Sequence, residues 1–402
     1  MTTTPAAAAG VCPFTGRSSA LPLDGNPHVP TPALAEFREN GPATPIRFAD
    51  DHEGLLVTQF GMAQAVLEDP RFTQNPRRFL LGPPEGEVHD VDQRAKDALA
   101  VADILSLDGD QHRRIRRSVT ARFSVKAARG RREAVRGFVT ETLDAFLAGP
   151  NPGNVTNDLA APISVRSHCL VLGVPDSHVQ LFGDTFAKPT TTQRKFDVIR
   201  ELLELVRLSP GDNVFSDLIA SDLTAAEVEG LAWVLSVSGR DSVAYMISMS
   251  VLTLLKHPEQ WELLKREPEL LPGAIEELVR YNTMFLTVFS RTALEDMEIQ
   301  GVTIPKGQSV TVSPVGANRD PERFDDPSTF DITRDSAGHL GFSHGPHGCV
   351  GQQFARVQIT EALTQLLTRV PDLTLIDAEF ESPYPLASYL PTYEAPPVNV
   401  TW

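Results

Sequence analysis

The sequence predicts a mainly helical domain with minor β structure, and three observations carry that expectation. Apolar residues recur at helical spacing over most of the chain beyond about residue 110. One stretch, residues 287–315, switches to alternation around Gly301 and Pro305-Lys306-Gly307, the pattern of a small sheet. No internal repeat, low-complexity tract or long linker divides the 402 residues, and 41% hydrophobic residues can build a sizeable core.

The elements follow in order. Residues 1–25 are rich in Pro, Ala and Gly, lack a basic segment followed by a long apolar run, and read as a disordered leader ahead of one domain over 26–402. Residues 33–40 read as a short helix, 55–58 as a strand, and 60–68 as a helix ended by Asp69-Pro70. Helical periodicity then covers 113–123, 128–148, 163–172, 177–186, 194–208, 224–255, 258–266 and 272–282. The most apolar part, 230–255, reads as one long buried helix. A membrane span is disfavoured because Arg240 and Asp241 stand at its centre, where each costs about 2.5–3.5 kcal/mol.

The net charge of −16 argues against nucleic acid as a partner. Basic residues are nevertheless concentrated at Arg113, Arg114, Arg116, Arg117, Arg122, Lys126, Arg129, Arg131, Arg132 and Arg136, which reads either as a solvated helical face or as a docking surface. The three cysteines, Cys12, Cys169 and Cys349, are far apart and odd in number, so no disulfide framework is indicated and a reducing cytoplasm fits.

Cys349 stands apart from the other two. It lies in Phe342-Ser343-His344-Gly345-Pro346-His347-Gly348-Cys349-Val350-Gly351, just before an apolar helical run that begins at Gln352. Backbone N–H groups and the helix dipole stabilise a thiolate there, and the glycines let the backbone close around the sulfur. A loop of this kind suits a single metal-bound sulfur, with haem iron as the candidate metal.

The pattern Phe342, Gly345, His347, Cys349 and Gly351 resembles the haem loop of the cytochrome P450 family, the haem-thiolate monooxygenases, with similarity running from about Leu55 to Trp402. The resemblance implies one helical catalytic domain with small β-sheets and haem b (iron protoporphyrin IX) buried between two long helices. It makes Cys349 the iron ligand. His112 and Arg116, in a His-x-x-x-Arg pattern, Arg291 and His347 match the residues that hold the haem propionates, an anionic demand met by cations from separate segments. Glu277 and Arg280 match the family's Glu-x-x-Arg pair, a structural ion pair, and spacing favours Arg334 over Arg323 as its third member.

Over the iron the family places a small residue, Gly, any residue, an acid and Thr. Here the segment is Ser238-Gly239-Arg240-Asp241-Ser242, so serine replaces threonine. Asp241 and Ser242 are the implied catalytic pair, Asp241 delivering protons and the Ser242 hydroxyl relaying them; serine keeps the hydroxyl but loses the methyl that fixes its rotamer. Arg240 either pairs near Asp241 or points away from the pocket. The substrate cavity, by family position, draws on residues 73–105, 182–208, 283–288 and 386–391, with Phe79, Leu80, Ser238, Phe285, Val288 and Leu390 as candidate contacts beside Val101, Ile104, Phe182, Phe186, Leu286 and Tyr389.

The implied reaction consumes O2, two electrons and two protons and abstracts hydrogen or an electron from a small apolar or aromatic molecule. Hydroxylation and radical C–C or C–N coupling both remain open. Secondary-metabolite tailoring is the expected setting, with a cyclic dipeptide as one candidate substrate. No dinucleotide-binding Gly motif or flavin module is evident, so a ferredoxin and its reductase are the expected electron donors. A peroxygenase using H2O2 and a non-catalytic haem sensor are the alternatives; the acid and hydroxyl at 241 and 242 argue against both.

Overall fold

The computed structural model describes residues 24–76, 78–80, 91–187, 190–380 and 390–402. Most of the expected leader, Cys12, and Leu386 and Tyr389 at the expected cavity tip lie outside the described residues. The chain is mainly helical with small sheets, and it divides into two discontinuous units: Met1–Val88, Glu276–Cys349 and Phe380–Glu394 in one, His89–Ile275, Val350–Glu379 and Ala395–Trp402 in the other.

The first unit holds a five-stranded sheet in the order Thr44–Arg47, Glu53–Val57, Ser309–Val312, Arg291–Ala293, Phe72–Thr73. Only Glu53–Val57 and Ser309–Val312 run parallel, with Leu56 opposite Thr311. The segment 287–315 thus feeds two sheets rather than the one expected, since Met297–Ile299 and Val302–Ile304 form a separate hairpin. Below the sheet, Val57, Met62, Val66, Val310, Phe324 and Leu340 share one buried cluster with helix Phe60–Glu68. That helix lacks a side-chain cap of its own; the Asp320 carboxylate accepts from the Phe60 N–H at 2.7 Å and satisfies one of its orphan donors.

The second unit is helical around Arg240–Lys256, which is apolar on all faces and packs against Ala161–Leu172, Gln352–Arg369 and Pro258–Arg266. A three-stranded sheet, Gly153–Asn154, Asn399–Thr401 and Thr374–Asp377, closes one end.

Two expectations are corrected here, and one helix is added. Residues 224–255 form two helices, Ala225–Val237 and Arg240–Lys256, because Ser238 is extended and Gly239 takes φ 88°. Residues 128–148 divide at Arg131, whose guanidinium donates to the carbonyls of Arg122 at 3.3 Å and Ala127 at 3.2 Å and so ends the shorter helix Val125–Gly130. A helix over Gln93–Ala102 was not anticipated. Asp92 caps it by accepting from Ala95 N–H at 2.8 Å, and pairs with Arg200 at 2.6 Å, which reaches buried Glu229 at 2.6 Å.

Candidate haem-thiolate site

In the first unit, the 3-10 turns Leu340–Phe342 and Gly345–His347 lead into Cys349. The Cys349 N–H donates to the Phe342 carbonyl at 2.8 Å, and its side chain is exposed. Helix Gln352–Arg369 begins two residues after Val350, so the thiol stands just ahead of a helix N-terminus, where negative charge is favoured.

The end of helix Phe60–Glu68 meets this loop at two points, Gly345 and His344, and also receives Arg291. Gly345 has φ 68°, and a Cβ on it would stand 2.6 Å from the Leu67 carbonyl oxygen, so only glycine fits without displacing backbone. His344 Nε2 lies 3.0 Å from Glu68 Oε2. The buried Arg291 guanidinium donates to the Leu67 carbonyl at 3.4 Å, a cation at a helix C-terminus. Ser343 adopts φ 60° and ψ −167°, a region held mostly by glycine, so the loop stores backbone strain beside the sulfur. Phe342, His347 and Gly351 are half-buried, and Gly345 is exposed.

The same unit holds an ion network whose central pair, Glu277 and Arg280, is fully buried. Arg280 meets Glu277 through Nε at 2.6 Å and Nη2 at 2.7 Å, while its Nη1 donates to the carbonyls of Asn318 and Pro327 at 2.8 and 2.9 Å. Arg334 Nε stands 3.3 Å from Glu277 Oε1, and the Ser336 hydroxyl also donates to Glu277. Arg323 goes elsewhere, donating to the Ala337 carbonyl at 2.7 Å and lying over the Phe324 ring. With every partner supplied, the cost of burying these charges is met by hydrogen bonds.

In the second unit, Asp241 and Ser242 occupy the first turn of helix Arg240–Lys256. Arg240 is buried and resolves the alternative left by the sequence: its Nη2 pairs with Asp241 Oδ1 at 2.5 Å and donates to the Phe186 carbonyl at 2.7 Å. Desolvation by the surrounding protein raises the Asp241 carboxyl above its ordinary value, opposed by Arg240 and Lys195, although 64% of its side chain remains accessible. On helix Gly109–Thr120, His112 is buried and Arg116 half-buried, one turn apart on one face.

The expected cavity residues fare unevenly. Phe79 is half-buried, edge-on to Phe289 at 6.3 Å, and Leu80 is buried. Phe285 bridges backbone with Thr392, Leu286 is fully buried, Val288 packs on the first unit's core, Leu390 is half-buried, and Ser238 is exposed. Phe182 is a correction. It is fully buried against Phe186 at 4.6 Å and His168 at 5.9 Å, a core position rather than a cavity wall.

Several of the clustered cations pair with carboxylates of the second unit, Arg114, Arg132 and Arg136 while remaining exposed themselves. Arg114 pairs with Glu227, Arg122 with Asp212 and Asp217, and Arg132 and Arg136 with buried Glu361. Arg117, Lys126 and Arg129 are exposed.

The one exposed thiol among the described residues, in a glycine-moulded cradle with a buried arginine nearby in the same unit, fits haem iron carried in an anionic macrocycle. The fold and this loop define a haem-thiolate protein. The family description Cytochrome P450 matches residues 185–370. The chain is 33% identical over 363 residues to the cytochrome P450 monooxygenase PikC of Streptomyces venezuelae, covering 86% of this chain and 85% of that one. It is also 33% identical over 374 residues to the 6-deoxyerythronolide B hydroxylase of Saccharopolyspora erythraea, covering 86% and 90%. Among solved structures, cytochrome P450 MoxA from Nonomuraea recticatena superposes with a TM-score of 0.83 at 32% identity, over 94% of this chain and 97% of that one. The chain belongs to the cytochrome P450 family and is a haem-dependent monooxygenase. No helix among the described residues is long and apolar enough to cross a membrane.

Proposed function

We propose that this enzyme uses O2 and electrons from a ferredoxin to oxidise a small apolar or aromatic natural product, with hydroxylation as the outcome. The observation that carries the reading is the exposed Cys349 thiol held at the end of a loop pinned to Leu67 and Glu68. Haem b, when bound, supplies oxygen activation, and the thiolate donates electron density that favours it. When bound, haem b would be ligated through the Cys349 thiolate, with Phe342, Gly345 and Gly351 shaping that loop and Arg291 and His347 of the same unit supplying contacts to its propionates; the family resemblance gives His112 and Arg116 of the second unit the same role.

Asp241 takes protons from solvent at its accessible carboxylate and passes them to the Ser242 hydroxyl. A carboxyl raised by desolvation stays protonated closer to neutrality than an ordinary aspartate, which suits a donor. Relatives named as a monooxygenase and a hydroxylase support oxygen insertion. Serine at 242 supports the second reading, radical coupling, because a looser relay matters less when no oxygen is inserted.

Turnover with labelled O2, NADPH and a surrogate ferredoxin and reductase tests both. Label in the product establishes insertion; a coupled product without label establishes the second reading. Turnover with H2O2 alone and none with O2 and electrons overturns the proposal in favour of a peroxygenase.

A further inference from the structure

The break at Ser238-Gly239 divides one long apolar run into two helices, and what holds its two ends is a single face of helix Ala161–Leu172. Ser164 and His168 stand one turn apart on that helix, so their side chains emerge on the same side. His168 Nε2 lies 2.9 Å from the Leu235 carbonyl, in the last turn before the break, where intrahelical donors run out. The Ser164 hydroxyl donates to the Arg240 carbonyl at 2.6 Å, in the first turn after it. Between these two bonds, a Cβ placed on Gly239 would meet the His168 ring at 3.3 and 3.4 Å, so the imidazole also lies against the break itself.

Both residues are buried, and both hydrogen bonds are inside the protein. A carbonyl accepts only from a protonated ring nitrogen, which fixes His168 as the Nε2–H tautomer. Burial keeps the ring neutral.

We propose that Ser164 and His168 are positioning residues for the reaction: together they clamp the backbone on either side of the helix break and thereby set where the Asp241 carboxylate and the Ser242 hydroxyl stand. The inference rests on the reading of Asp241 and Ser242 as the proton relay. A bond to Leu235 alone would hold the incoming helix and leave the outgoing turn to swing about Ser238 and Gly239. With the Ser164 bond in place, Arg240 is fixed at its carbonyl as well as at its guanidinium, and Asp241 and Ser242 follow it by one and two residues. Small displacements suffice to matter, because a misplacement of about 1 Å can cost about a hundredfold in rate.

Four variants test this: His168→Leu, His168→Gln, Ser164→Ala and Asp241→Asn. Glutamine retains an N–H donor of similar reach, leucine retains bulk alone, and Ser164→Ala removes one hydroxyl, so a fold-wide failure in His168→Leu is separated from loss of the clamp. Two readouts are taken on the haem-loaded protein: hydrogen exchange of the amides at 236–242, and product formed per NADPH consumed with KM for substrate. His168→Leu and Ser164→Ala should exchange faster at those amides and lose about tenfold in product per NADPH at nearly unchanged KM, and His168→Gln should restore both. Unchanged exchange and coupling in His168→Leu and Ser164→Ala, beside an Asp241→Asn that is impaired, overturn the clamp. Unchanged coupling in Asp241→Asn as well overturns the relay on which it rests.

Discussion

The Cys349 loop and the Ser238-Gly239 break each place a functional group by an irregular piece of backbone, yet they are held in different ways. The loop is held mainly by its backbone: Gly345 lies against the Leu67 carbonyl and the Cys349 N–H is spent on Phe342, with one side-chain pair, His344 and Glu68, beside them. The break is held by side chains from elsewhere: His168 and Ser164 on its carbonyls, and Arg240 reaching the Phe186 carbonyl. A site held by backbone is intolerant of substitution at the held position. A site held by side chains is tuned from a distance, through residues that touch no substrate.

The largest expected effect belongs to the loop. Cys349→Ser removes the thiolate, so the reduced carbon-monoxide complex should lose entirely the red-shifted absorbance band that thiolate ligation gives. An unchanged spectrum would place the ligand at another residue.

Glycine-to-alanine exchange compares the two regions directly. Gly345 and Gly239 both have positive φ, 68° and 88°, and each substitution costs about 1–2 kcal/mol on that account. The difference lies in what the new methyl meets. At Gly345 it strikes a backbone carbonyl at 2.6 Å, whereas at Gly239 it presses on an imidazole at 3.3 Å that can shift by a few tenths of an ångström. Gly345→Ala should therefore lose haem content outright, while Gly239→Ala retains haem and loses coupling. Equal haem content in the two variants breaks the distinction.

These contrasts explain what the sequence made legible. The loop was readable because each position needs a particular residue type: a thiol for the iron, glycine where backbone closes on Leu67, a helix start behind it. Glu277 and Arg280 were readable as a pair from their spacing, whereas their burial and Arg334 as third member came only from the family resemblance. The break was legible only in part: Gly239 weakens a helix locally and makes a kink there plausible, yet apolar residues fill both helices, so periodicity runs across Ser238-Gly239 and signals one long helix. His168 and Ser164 gave no local signal, since a histidine and a serine on an apolar face read as ordinary core residues until their partners are known. The helix Gln93–Ala102 depends on Arg200, far away in the chain, and the basic cluster concealed how many of its arginines face carboxylates inside the second unit.

A third prediction uses the side-chain character of the break. His168 is buried and its pKa is lowered to about 4 from an ordinary 6.5, with burial as the main cause and Arg240 adding to it. Between these values the unfolded chain binds a proton that the folded protein refuses, so the stability that His168 allows is complete above pH 6.5 and is lost as pH falls toward 4. The loss accumulates at about 1.4 kcal/mol per pH unit, to a total of about 3 kcal/mol. Denaturation curves of wild type and His168→Gln should run parallel above pH 6.5 and diverge below it, the variant losing less. Curves parallel throughout would show that the imidazole is not buried in its neutral form.

The smallest expected effect concerns the carboxylate that the break presents. Desolvation raises the Asp241 carboxyl, and Arg240 is the foremost group opposing that rise through its charge and its hydrogen bond. Arg240 is buried while Asp241 is largely accessible, so water screens the pair and its contribution is modest, about 1 kcal/mol or less. Arg240→Ala leaves the desolvation unopposed, so the carboxyl holds its proton to higher pH, and the limb of the kcat profile that reports Asp241 should move upward in pH. Because the arginine also ties the helix start to the Phe186 carbonyl, Arg240→Lys serves as the control, keeping the charge while losing the planar fork that spans both partners. A limb that moves in Arg240→Ala and stays in place in Arg240→Lys assigns the effect to charge. A limb that stays in place in both would mean that Asp241 is governed by burial alone, and that the break presents its acid without electrostatic help from the residue beside it.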